Sequence, residues 1–150
     1  MRKLMKNKFL MVVLAALILF GVWNLAWLFI TKNRYHDFTE AIPKTEGGSY
    51  ITTKDGYIYN VKLPDYLHFT GNLGIANHDK GEALIIWPLI NGGYEYGIRL
   101  QKDGVAHEIY VDENMNPIDK NDTDSVQLIE KYKAEANGLL ARANEMWDLN

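Results

Sequence analysis

Hydrophobic and polar residues follow three different rhythms along this chain. Residues 9–30, FLMVVLAALILFGVWNLAWLFI, run without a single charge. A helix rises about 1.5 Å per residue and the hydrocarbon core of a bilayer is about 30 Å thick, so this run predicts one membrane-spanning helix. From Ser49 to Val111 the rhythm is two, the mark of strands with one buried face. From Asp122 onward it lengthens to three and four, the mark of an amphipathic helix.

Within the middle section, Tyr57, Tyr59, Val61 and Leu63 alternate with Ile58, Asn60 and Lys62. Ahead of them Lys54-Asp55-Gly56 supplies the positive backbone angles of a tight hairpin turn. Leu67, Phe69, Leu73 and Ile75 keep the period across Gly71 and Gly74, which predicts a strand with a bulge or sharp bend. Residues 83–87, ALIIW, are apolar throughout and predict a central strand buried on both faces, with Pro88 marking a bulge or the strand's end. Tyr94, Tyr96, Ile98 and Leu100 then pair, through a second Lys-Asp-Gly turn, with Val105, His107, Ile109 and Val111, which places His107 on the apolar face.

In the last section Val126, Ile129, Tyr132, Ala136, Leu140, Ala143 and Trp147 form one stripe behind the capping candidates Asp122, Thr123, Asp124 and Ser125. Asn137-Gly138 is the expected kink or break. A meander with one apolar face and a helix with one apolar stripe cover each other. The predicted fold class is α+β: an N-terminal single transmembrane helix, then an antiparallel β-meander of about five or six strands packed against a C-terminal amphipathic helix. The matching organisation is a basic tail at 1–8, an anchor at 9–30, a stalk at 31–48 with Pro43 and Gly47-Gly48, and an α+β domain at 49–150. Inside the stalk, residues 38–42 offer a short amphipathic turn suited to a lipid surface.

Charge orients the anchor. Arg2, Lys3, Lys6 and Lys8 precede the span and only Lys32 and Arg34 closely follow it, so the amino terminus is expected in the cytoplasm and the domain outside. Trp23, Trp27 and Phe29 crowd the exit end, where amphipathic rings favour the headgroup level. A cleaved signal peptide shares the basic start, but its apolar middle is about 7 to 15 residues and ends in a small-x-small site. Asn24-Leu25-Ala26 is the nearest match, and Trp27, Leu28, Phe29 and Ile30 still follow it, so an uncleaved anchor is the better reading. Asn24 is the one strongly polar side chain of the run. Without a small-xxx-small pattern it is expected to reach water or a backbone carbonyl rather than a partner helix.

From Tyr35 on, 10 Lys and Arg stand against 19 Asp and Glu, a net charge of −9. Phosphate backbones are bound by clustered Lys and Arg, so nucleic acid is not an expected partner. The chain has no cysteine, which removes disulfide staples and thiol nucleophiles together.

Candidate chemistry is sparse. Asp112, Asn114 and Asn116 carry the oxygen spacing that opens a calcium loop, yet Pro117 stands where that loop needs glycine and Thr123 where it needs a bidentate glutamate. A turn feeding the helix cap accounts for them better, leaving at most a weak calcium site. His78, Asp79 and Glu82 lie in the polar loop 77–82 and offer a base with an orienting carboxylate, but no nucleophile accompanies them. The four histidines show no zinc spacing, and no cofactor motif is present. Nine tyrosines are the compositional surplus. Tyr57, Tyr59, Tyr94 and Tyr96 make a binding face if exposed; as ordinary strand residues they put a ring in the core and a hydroxyl at its rim.

The expected function is that of a single-pass, membrane-anchored extracytoplasmic domain acting as a non-catalytic protein–protein interaction or envelope assembly component. Its expected partners are the membrane and another membrane or envelope protein. The alternative is a small membrane-tethered hydrolase or ligand-sensing domain using the loop 77–82. The last hairpin, ending in Tyr110-Val111-Asp112, resembles the closing hairpin of PepSY-type envelope modules; the resemblance covers that hairpin alone and implies no function or site residue.

Overall fold

The computed structural model describes residues 2–149, and the side chains of residues 7–149. It is an α+β fold of one long N-terminal helix, a six-stranded antiparallel sheet and two C-terminal helices.

Helix α1 runs unbroken from Arg2–Glu40. Nothing in its sequence interrupts it, because the first proline is Pro43 and Gly21 meets only open space. The helix is long and apolar enough to cross a membrane, and no residue of its most apolar stretch is buried inside the fold. The side chains of residues 1–6, within the basic tail, lie outside the described residues.

The segment read from sequence as a stalk turns out differently. Residues 31–40 continue the helix, and Tyr35, Phe38 and Ile42 are buried in the domain's core. Steps of three and four residues bring these side chains to one face, so the end of α1 is itself a core element. The turn at 38–42 therefore packs against protein with Phe38 and Ile42 instead of resting on lipid.

Six strands follow in sequence order: β1 (Tyr50–Lys54), β2 (Tyr57–Lys62), β3 (Asn72–Asn77), β4 (Ala83–Pro88), β5 (Tyr94–Lys102) and β6 (Val105–Val111). Each pairs antiparallel with its neighbour. Both Lys-Asp-Gly turns are two-residue hairpin connections with positive φ at Asp55 and Gly56 and at Asp103 and Gly104. One sheet face carries Val61, Leu73, Ile75, Leu84, Ile86 and Ile98, all within the core. The opposite face is half covered: β4 alternates buried and intermediate residues, so it is not the strand buried on both sides that its unbroken apolar run suggested. There Trp87 lies over Gly97 and stacks on Tyr110 at 5.7 Å.

Two further departures come from what covers the core. Strand β3 begins only at Asn72, and the expected extension through Leu67 and Phe69 is an irregular loop, 63–71. Strand β6 keeps its alternation, but its first four residues, His107 included, are exposed at the tip of the edge hairpin of the sheet.

Helices α2 (Thr123–Lys131) and α3 (Lys133–Trp147) close the core face, with α3 against β3 and β4. Asp122 caps α2 by accepting from the Ser125 N–H at 3.1 Å. The break falls at Tyr132, with φ −107° and ψ 21°, rather than at Asn137-Gly138. Gly138 is exposed and unobstructed and does not interrupt the helix. Leu128, Ile129, Ala136, Leu139, Ala143 and Trp147 are buried, so Leu139 takes the place that the sequence stripe assigned to Leu140.

Candidate functional site

The tyrosines show how the strands build a site. Strand alternation points Tyr57, Tyr59, Tyr94 and Tyr96 toward the helix layer, and none of the four is fully exposed. Tyr59 is in the core and meets Trp147 edge to face at 5.9 Å, so it has no place on a binding surface. Tyr57 lies at the rim with the Arg142 guanidinium 4.0 Å from its ring centroid. Tyr94 and Tyr96 sit at the opposite end of the core face, half-buried, with ring centroids 6.3 Å apart.

Beside Tyr94 and Tyr96 opens a cleft of about 800 Å³. Its other walls are Glu95 and Glu113, the turn at Asp112 and Asn114, and Asn144 and Leu149 at the end of α3. Burial raises the hydroxyls of Tyr94 and Tyr96 above the ordinary tyrosine range, which keeps both protonated as hydrogen-bond donors. The cleft therefore offers aromatic faces, hydroxyl donors, amides and a carboxylate rim. It contains no serine, cysteine or lysine.

A second, shallower groove of about 470 Å³ adjoins it. This groove runs between the exit end of α1, at Phe29, Ile30 and Arg34, and the β4–β5 turn at Leu89 and Ile90. Gly93 and Tyr94 line both spaces. Arg34 Nε is buried without a hydrogen-bond partner. Sequence reasoning treated Arg34 only as a topology charge; its position four residues past the apolar run, on a helix that enters the core, is what brings it to this groove.

The turn considered for calcium is organised by the protein's own groups. Asp112 Oδ1 accepts from the N–H groups of Asn114 and Asn116 at 2.9 and 2.8 Å, and Oδ2 accepts from the Asn116 amide at 3.0 Å. The Lys133 ammonium donates to the Asn114 and Met115 carbonyls at 2.6 and 2.9 Å and to Asn116 Oδ1 at 2.7 Å. An internal cation thus stands among the oxygens of Asn114 and Asn116. Burial alone would raise the Asp112 carboxyl, but the bonds from Asn116 and Asn114 and the nearby Lys133 outweigh it and hold the carboxyl below its ordinary range.

In the loop 77–82, His78 Nδ1 and Asp79 Oδ1 are 3.0 Å apart and both residues are exposed, whereas Glu82 is buried. Asn77 Oδ1 accepts from the N–H groups of Asp79 and Lys80 at 3.0 and 3.1 Å, the pattern of a side-chain-stabilised hairpin turn. Neither His78, Asp79 nor Glu82 lines the cleft. A cluster not foreseen from sequence, His36, Asp37 and Glu40, lies exposed on α1, where an i,i+4 contact of 3.2 Å between His36 and Glu40 accounts for its geometry.

In comparisons with known proteins, no family model matches the chain, and no curated protein or solved structure matches it either.

Proposed function

We propose that this chain is a single-pass, membrane-anchored binding domain whose Tyr94–Tyr96 cleft holds a basic or amphipathic segment of another protein in the same membrane. The observation that carries this reading is the continuity of the two spaces: the cleft and the groove at the α1 exit share Gly93 and Tyr94. A segment leaving the bilayer beside α1 meets the groove first and the cleft next. Glu95 and Glu113 give the cleft a negative rim, and the domain as a whole carries −9, so positive charge on the partner is favoured.

We read the amino terminus as cytoplasmic and the domain as outside, a reading supported by the basic bias of Arg2, Lys3, Lys6 and Lys8 over Lys32 and Arg34. Retention of the anchor is supported by α1 itself, because cleavage near Ala26 would remove Trp23 and Asn24 from their contacts with the loop 63–71. We read the role as non-catalytic; the lining of the cleft, which holds no serine, cysteine or lysine nucleophile, supports that reading. An anchor confers high effective concentration on a modest binding surface, so strong affinity in solution is not required.

The test is site-specific photocrosslinking of the full chain in its native membrane, with the photoreactive residue at Asn114 on the cleft wall. A discrete adduct with one membrane protein, lost in the double charge reversal Glu95→Lys, Glu113→Lys while expression and thermal stability hold, supports the reading. An adduct pattern unchanged by that reversal, or no adduct at all, sinks it.

A further inference from the structure

The loop 63–71 is fastened to α1 within the apolar run. Phe69 meets Trp23 edge to face at 5.6 Å, and Tyr66 meets Trp27 in the same way at 5.3 Å. The Trp27 indole N–H donates to the His68 carbonyl at 2.6 Å, and the Tyr66 hydroxyl donates to Asn24 Oδ1. Asn24 in turn donates its amide to the Phe20 carbonyl at 2.7 Å. Higher up, the Gly71 N–H donates to the Tyr35 hydroxyl at 2.7 Å.

Trp23 and Trp27 precede Ile30 by seven and three positions, which at 1.5 Å per residue puts these contacts roughly 5–10 Å inside the end of the apolar run. That is the depth at which interfacial segments rest in a bilayer. Polar groups at this depth have little water to turn to and must satisfy one another. Asn24, Trp27, Tyr66 and the His68 carbonyl do so as one set. Meanwhile Tyr66 remains 58% exposed, and on another side of α1 the β4–β5 turn presents Ile90, 62% exposed, beside Phe29 and Ile30. The charged residues nearest this zone are Lys32 and Arg34, which follow Ile30 on α1, and Lys62 and Asp65, which are exposed and lie 3.5 Å apart as an ion pair.

We infer that the loop 63–71 and the β4–β5 turn form a collar around α1 that dips into the outer surface of the bilayer, so that lipid covers Tyr66, Phe69 and Ile90. This rests on the reading of α1 as a spanning helix. Continuity with that helix selects lipid as the occupant: whatever surrounds α1 at Trp23 also surrounds the side chains fastened to Trp23. The collar gives the domain a second membrane contact that is independent of any partner.

The native chain has no cysteine, so single-cysteine spin labels can be placed without background. Full-length Tyr66→Cys, Ile90→Cys, Leu17→Cys and Asp103→Cys, each reconstituted alone in phosphatidylcholine vesicles at low protein density, report collision with oxygen and with a water-soluble nickel chelate. Leu17 lies mid-span and Asp103 at a distant hairpin tip, and both side chains are exposed. The expected result is protection of Leu17 from the chelate, free access at Asp103, and about tenfold less access at both Tyr66 and Ile90 than at Asp103. Protection of Leu17 with access at Tyr66 and Ile90 equal to that at Asp103 overturns the collar while leaving the anchor intact. Access of the chelate to Leu17 overturns the anchor and the collar with it. Since Ile90 projects from a turn with its side chain free, its label reads depth even where the Tyr66 variant disturbs the loop.

Discussion

The two ends of the sheet are built by opposite rules. At the end next to the apolar run, chain geometry is irregular: Leu67 holds a left-handed φ of 63°, Gly71 presses against the Lys62 carbonyl, and the loop is held by side chains of α1. At the far end two of the three hairpins turn on favoured Asp-Gly pairs, the third is closed by Asn77 accepting from Asp79 and Lys80, and the first residues of β6 stand free in solvent. Irregular backbone persists only where other groups over-determine it, and a left-handed leucine costs about 1–2 kcal/mol. The contrast therefore marks the near end as the part whose shape depends on tertiary contact. The far end follows local preference.

The sharpest way to break this contrast is at Gly71. A methyl group there would stand 2.0 Å from the Lys62 carbonyl oxygen and 2.9 Å from the backbone of Leu63 and Pro64, so backbone must move. Gly71→Ala is expected to lower the stability of the full chain in detergent by about 3 kcal/mol, read from its denaturant midpoint, and to free the loop 63–71 to proteolysis. A loss below about 0.5 kcal/mol would mean that the close approach is relaxed in solution.

Tyr35→Phe comes next. It keeps the ring in the core but leaves the buried Gly71 N–H without its acceptor, an expected loss of about 1–3 kcal/mol in the same measurement. Smaller again is Lys133→Met, which removes three hydrogen bonds from the turn 114–116 and should cost about 1 kcal/mol. That variant also carries a pH signature. Because the folded state lowers the Asp112 pKa, its stabilising share is present above the ordinary carboxylate value of 3.8 and is lost as pH falls through the lower folded value. Removing the nearby cation weakens that lowering, so the stability of Lys133→Met should depend less steeply on pH below about 4 than that of the parent. At the far end, Val105→Thr should change stability by no more than about 0.5 kcal/mol, since Val105 is exposed and covers nothing. A larger effect there would show that the hairpin tip is covered in solution.

The same contrast explains what was legible in the sequence. Strands, hairpin turns, sheet order and the α2 cap follow local rules, and Lys54-Asp55-Gly56 and Lys102-Asp103-Gly104 announce themselves. The union of α1 with the domain does not, because Tyr35, Phe38 and Ile42 keep helical spacing amid charges and just before Pro43, and so look like a linker. Leu67 and Phe69 alternate like strand residues, yet they belong to a loop set by the tryptophans of a distant helix. His107 alternates like a core residue, yet it lies on the edge strand and is exposed, while its register partner Leu100 is buried. Of the cleft, Tyr94, Tyr96, Asp112 and Asn114 were visible as candidates for different reasons; that they share one wall required the sheet to be folded. Arg34, Glu95, Glu113, Asn144 and Leu149 carry no local motif that could have singled them out.

Because α1 passes from its apolar run into the core without a break, the domain has no swivel. In a bilayer, any tilt of the helix is a tilt of the whole sheet, and the cleft keeps a constant position and bearing relative to the helix axis. Of its rigid-body freedom, mainly lateral drift and spin about the membrane normal remain. On the proposed reading, a partner in the same membrane searches for it in two dimensions with one angle to match, and encounter is governed by lipid viscosity instead of by reach.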